Sequence, residues 1–142
     1  MKIDGYTRVC GVMGNPVEHT MSPAIHNTLA QALGENLVYI PFHVPAGHAG
    51  DAVRGAYALN LLGMNVTVPY KRDVVPFLKE IDPLAETIGA VNTLVRTEGP
   101  IQAHNISRRT KLNNGSSREI QMVITFHTEV IFNRIIYRDA RN

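Results

Sequence analysis

The chain has 142 residues, 44% apolar and 18% charged, with a net charge of +2; this is the composition of a globular domain with a real core and excludes disordered and fibrous classes. No apolar run reaches the length of a membrane span and no charged-then-apolar leader opens the chain, so no membrane partner and no export are expected. Cys10 is the single cysteine, which rules out an intrachain disulfide and makes a reducing, cytoplasmic setting the expectation.

Along the first hundred residues, strand-like and helix-like segments alternate. Arg8–Met13 is short and apolar and runs into Gly14-Asn15-Pro16, a loop signal. Ser22-Pro23 predicts a helix start, with serine as N-cap and proline in the first turn. Ile25, Leu29, Ala32 and Leu33 then form one apolar stripe that ends at Gly34. Leu37–Val44 reads as a second strand and Ala46–Leu59 as a helix weakened by its glycines. Residues 62–68 read as a third strand and Lys71–Leu78 as a short helix. Asp82-Pro83 opens another short helix ending at Gly89, and Val91–Arg96 with Ile101–His104 predict a hairpin around Thr97-Glu98-Gly99-Pro100. The expected fold is α/β: a three-layer open sheet, mostly parallel with an antiparallel terminal hairpin, and helices on both faces.

The character changes after Asn105. Residues 1–105 carry seven Lys/Arg and nine Asp/Glu, whereas residues 106–142 carry seven and three, so the basic excess lies in the last quarter of the chain. Its basic residues are scattered, without aromatic interleaving, and no nucleic-acid partner is expected. Asn113–Ser117 reads as a turn or linker, residues 120–126 as a strand and 129–137 as a helix.

Three segments contain the residue types of a small-molecule site. Gly63-Met-Asn-Val-Thr-Val-Pro-Tyr-Lys71 is a β-branched strand ended by a proline, with a lysine just past its exit. Ligands of open α/β sheets sit at such exits. If Lys71 opens a helix, the positive dipole end disfavours its ammonium form, and the amine can exchange protons; a solvated surface lysine is the plainer reading of that stretch alone. Gly14–Asn27 puts Thr20 and Ser22 at a helix entrance, where backbone N–H groups and hydroxyls can take a carboxylate, or where Ser22 simply caps the helix. Asn92, in Gly89-Ala-Val-Asn-Thr93, can bridge a ligand hydroxyl or bond its own backbone. The six histidines are scattered and no second cysteine supports a metal site, so no metal is expected.

Gly14–Asn27, Gly63–Lys71 and Ile88–Leu94, in this order and spacing, resemble the three signature stretches of the shikimate dehydrogenase family. The resemblance covers roughly residues 6–105, with Thr20 where the family more often has serine. It implies a substrate domain for shikimate or 3-dehydroshikimate that works beside a nicotinamide-binding domain, with NADP as the family's cofactor. By this resemblance Thr20 and Ser22 hold the carboxylate, Thr67 and Asn92 contact ring hydroxyls, and Lys71 is the catalytic lysine.

The resemblance then breaks. Where the family carries Asn-Thr-Asp, this chain reads Asn105-Ile106-Ser107, followed by Arg108 and Arg109. No Gly-x-Gly-x-x-Gly occurs, and residues 106–142 resemble nothing in the family, so this segment is expected to be a divergent basic tail that replaces the nicotinamide-binding domain. A shikimate dehydrogenase represented by its substrate domain, inactive as this chain, is the expected function. The alternatives are a non-catalytic shikimate-binding or interaction module, or a quinate/shikimate dehydrogenase fragment. The apolar residues of 120–136 are expected to cover their own domain or to pair two copies in a homodimer.

Overall fold

The computed structural model describes residues 2–96 and 102–104. The chain divides into two units, Met1–Asn105 and Ile106–Asn142, and every described residue belongs to the first. The turn expected at residues 97–100, Asn105 and Ser107, and the strand and helix expected beyond residue 119 lie outside the described residues.

Six strands, β1 (Arg8–Gly14), β2 (Leu37–His43), β3 (Gly63–Val66), β4 (Glu80–Ile81), β5 (Thr93–Val95) and β6 (Gln102–His104), form one sheet in the order β2-β1-β3-β5-β6-β4. β1 pairs parallel with both β2 and β3, β4 pairs parallel with β6, and β5 pairs antiparallel with β3 and β6. The helices are α1 (Ser22–Ala32), α2 (Ala49–Ala58) and α3 (Pro83–Ile88). The chain moves from β1 through α1 to β2 on one side, then back through α2 to β3 on the other. Right-handed crossovers taken in opposite directions put α1 and α2 on opposite faces. This is the mixed, open α/β sheet anticipated from the alternation of segments, with the antiparallel component supplied by β5 and β6.

The two faces differ in chemistry because side chains alternate along each strand. Met13, Met64, Val66 and Leu94 join Val53 and Ala56 of α2 in the apolar core, with Val74, Ala85 and Val91. The α1 side is more polar: His26 stacks on Tyr39 with ring centroids 4.2 Å apart, and Tyr39 bonds Asn65 of β3. α1 therefore buries His26 and Ala30, while Leu33, at the end of the expected apolar stripe, is 52% exposed. The stripe reading fails because a strand-borne tyrosine offers a ring to stack on, which periodicity does not reveal. The Asn27 amide finishes the seam, donating to the Tyr39 carbonyl (2.9 Å) and accepting from the Tyr39 N–H (2.8 Å).

Close approaches explain several glycines. A Cβ on Gly63 would lie 2.7 Å from the Leu94 carbonyl oxygen, so β3 and β5 meet there only without a side chain. Gly89, at φ +68°, closes α3 in the left-handed conformation. Asp82 caps the other end of α3 and accepts from the Leu84 and Ala85 N–H groups, both at 2.9 Å. The third strand is shorter than expected, ending at Val66, and the two-residue β4 was not anticipated. The helix expected at Lys71–Leu78 is replaced by successive turns and one 3₁₀ turn, Val75–Phe77. Two of its four apolar positions are the β-branched Val74 and Val75, and Pro76 lacks the N–H that a continuing helix would use.

Candidate functional site

Sheet topology brings the three motif segments to one edge. β1 and β3 are parallel, so their carboxyl ends, Gly14 and Val66, emerge side by side. β5 runs the other way, so its beginning lies at the same edge. Backbone hydrogen bonds join the exits. Thr67 N–H donates to the Met13 carbonyl (3.0 Å), Asn15 N–H to that of Val68 (3.1 Å), Val66 N–H to that of Asn92 (2.8 Å), and Val91 N–H to that of Lys71 (2.7 Å). Lys71 is thus one residue removed from a direct backbone link to Asn92.

Lys71 is exposed and lies in the turn that follows β3. No α-helix begins at it, so the helix dipole invoked from sequence is not what acts on its amine. Tyr70, its neighbour, anchors the turn: its ring is buried and its hydroxyl donates to the Val44 carbonyl at 2.6 Å. Thr67 directly follows β3, and a Cβ added at Gly14 would lie 2.5 Å from its Cγ2. Gly14 therefore leaves the space that the Thr67 methyl occupies. Asn92 is 8% exposed, and its Oδ1 accepts from the Thr93 hydroxyl at 3.0 Å.

Ser22 does not cap α1. The N-cap residue is Met21, whose side chain makes no capping hydrogen bond. Instead the Thr20 hydroxyl donates to Ser22 Oγ (3.2 Å), while Thr20 Oγ1 accepts from the Ser22 N–H (3.3 Å). Both hydroxyls stay half-buried at the helix entrance rather than being spent on a cap. The loop leading to them is tied down by Glu18, which accepts from the Val17 N–H (2.9 Å) and lies 3.1 Å from His43 Nδ1 at the end of β2. The N–H groups of Glu18 and Val17, with His43 as a lesser contributor, hold the Glu18 carboxyl below its ordinary range.

Sequence reasoning missed the layer behind these residues. The Tyr39 hydroxyl donates to Asn65 Oδ1 at 2.7 Å, and Asn65 Nδ2 donates to Thr93 Oγ1 at 3.3 Å. Burial pushes the Tyr39 phenol strongly upward, Cys10 adds to this, and the nearby Ser22 side chain opposes it. The available signal was Asn65, a polar residue between Met64 and Val66 in a fully buried strand. A buried polar group of this kind requires partners.

Fold and site together define an α/β small-molecule-binding domain whose polar groups gather where the parallel strands end. The family description "Shikimate dehydrogenase substrate binding domain" matches residues 12–94. The chain belongs to the shikimate dehydrogenase family. It is 49% identical over 104 residues to the shikimate dehydrogenase (NADP(+)) of Desulforamulus reducens, an alignment covering 73% of this chain and 36% of that protein. Among solved structures, a shikimate dehydrogenase in complex with NADP+ is 40% identical, with a TM-score of 0.70 over 73% of this chain and 36% of the other. The Listeria monocytogenes shikimate 5-dehydrogenase in complex with shikimate and NAD is 38% identical, with the same TM-score, over 73% of this chain and 36% of that one. The chain thus spans about a third of the length of the relatives it matches.

The relatives' NADP raises the question of fit. Among the described residues no glycine-rich turn joins a strand to a helix in the Gly-x-Gly-x-x-Gly pattern. Those residues do not fit a nicotinamide dinucleotide. Among the described residues, too, no helix is long and apolar enough to cross a membrane.

Proposed function

We propose that residues 1–105 are a substrate-binding domain for shikimate or 3-dehydroshikimate and supply the substrate half of an NADP-dependent shikimate dehydrogenase reaction. In this reading the Thr20 and Ser22 hydroxyls receive the carboxylate, and Thr67 and Asn92 meet ring hydroxyls. Lys71 holds or moves a proton at the oxygen that is oxidised or reduced. The observation that carries the reading is the 2.7 Å bond from the Val91 N–H to the Lys71 carbonyl, which makes Lys71 and Asn92 neighbours at one sheet edge. The uncapping role of Ser22 supports it as well: a hydroxyl not used on its own helix is available to a ligand anion. The cytoplasm is the proposed compartment, since Cys10 is buried as a free thiol. Residues 106–142, basic by sequence, fall outside the family match and are proposed to be a divergent tail through which two copies associate.

Titration calorimetry of the full chain with shikimate tests the reading. Binding is expected in wild type and should weaken in Ser22→Ala and in Asn92→Ala. Each loses a hydrogen bond to the ligand, about tenfold in affinity for roughly 1.4 kcal/mol. Absence of heat at millimolar shikimate would remove the proposal. Light scattering that finds only monomer would remove its dimeric part.

A further inference from the structure

Behind the half-buried hydroxyls of Thr20 and Ser22, buried side-chain hydrogen bonds join β2, β3 and the residues at the start of β5. Thr20 donates to Ser22 Oγ (3.2 Å). The Tyr39 hydroxyl donates to Asn65 Oδ1 (2.7 Å). Asn65 donates from Nδ2 to Thr93 Oγ1 (3.3 Å), and Thr93 donates to Asn92 Oδ1 (3.0 Å). Tyr39 is 1% exposed and Thr93 0%; water has no access to replace either link. The chain starts at Tyr39 on β2, crosses β3 at Asn65 and ends where β5 begins. Tyr39 is also the best-fixed member, with its ring stacked on His26 and its backbone clasped by the Asn27 amide.

We propose that Tyr39 is a positioning residue that, through Asn65 and Thr93, supports the Asn92 amide at the start of β5. The proposal rests on the ligand reading above for its functional meaning. Each of these hydrogen bonds is buried, and loss of one member leaves its neighbour without that partner. The relay braces the Asn92 side chain from beneath before any ligand arrives. A rigid support of this kind keeps hydroxyl and amide groups at a spacing suited to a small hydroxy acid.

The test uses the full chain and two shape-conserving variants, Tyr39→Phe and Thr93→Val, with folding checked by urea denaturation. In ligand-free ¹H–¹⁵N spectra, the Asn92 side-chain amide signals are expected to shift in both variants, although Tyr39 contacts Asn92 only through two other residues. Shikimate affinity should fall about tenfold in Tyr39→Phe. The double variant Tyr39→Phe/Thr93→Val should lose less than the product of the single losses, since both act on one chain. Unmoved Asn92 amide signals in both folded variants overturn the relay, as does full multiplicativity of the two losses. If wild type binds no shikimate while the amide signals move, the relay stands and the ligand assignment falls.

Discussion

Gly14 shows how a residue with no side chain can define a ligand contact. It ends β1, and the space where its Cβ would stand holds the methyl of Thr67, 2.5 Å away. Gly14→Ala is expected to push the Thr67 side chain aside and to destabilise the chain by about 1–3 kcal/mol, the usual range for overpacking a filled site. Most of that loss should be recovered in Gly14→Ala/Thr67→Ser, which deletes the obstructing methyl and keeps the hydroxyl. Urea denaturation of the two variants decides: equal destabilisation would show that the clash is not with Thr67. From sequence, the site positions stood out through the family resemblance of three segments together, since Lys71, Ser22 and Asn92 each have a plainer reading alone. What each hydroxyl does was not legible there. The Ser22 hydroxyl accepts from Thr20 instead of capping α1, and local sequence contains no trace of a bond such as that from Tyr39 to Asn65, 26 positions apart.

At the scale of elements, local signals held where the chain resolves its own ends. Asp82 and Gly89 frame α3 by side-chain capping and a left-handed turn, both of which are short-range chemistry. Asp82→Ala removes the acceptor for two N–H groups and should cost about 1 kcal/mol. Asp82→Asn, which keeps an acceptor, should cost much less; a loss as large as that of alanine would mean that charge rather than capping matters there. The segment after β3 went the other way. Its polar-then-apolar pattern fits a helix, yet Tyr70 and Val74 are drawn into the core and the intervening turns follow their anchoring. Burial of a large ring outweighs the weak preference of so short a helix. β4 escaped notice for a related reason: two residues carry no period, and Glu80–Ile81 is a strand only because β6 lies alongside.

For the molecule as a whole, stability is linked to the buried side chains under the α1 face. Burial pushes the Cys10 thiol up to about 12, against a smaller opposing pull from Arg8. Above the ordinary thiol value of 9.0, the unfolded chain loses this proton while the folded chain keeps it. The folded state then binds more protons, so stability falls as pH rises. The slope from this one group is about 1.4 kcal/mol per pH unit until the folded value is approached. Tyr39, also raised by burial, steepens the decline above its ordinary value of 10.0. Cys10→Ala should show a shallower alkaline limb between pH 9 and 10 in urea denaturation; an unchanged slope would assign the limb to other groups.

The alternation of strands and helices, the cap of α3 and the residue types of the site were all determined by the sequence itself, because each depends on neighbours a few positions apart. Only the tertiary structure decided which hydroxyls and amides work together. Parallel pairing of β1 and β3 with a reversed β5 brings Gly14, Lys71 and Asn92 to one edge, and packing α1 on Tyr39 completes the polar layer beneath them. Those partners lie tens of residues apart along the chain, and their meeting is a consequence of burying two chemically different faces of one sheet.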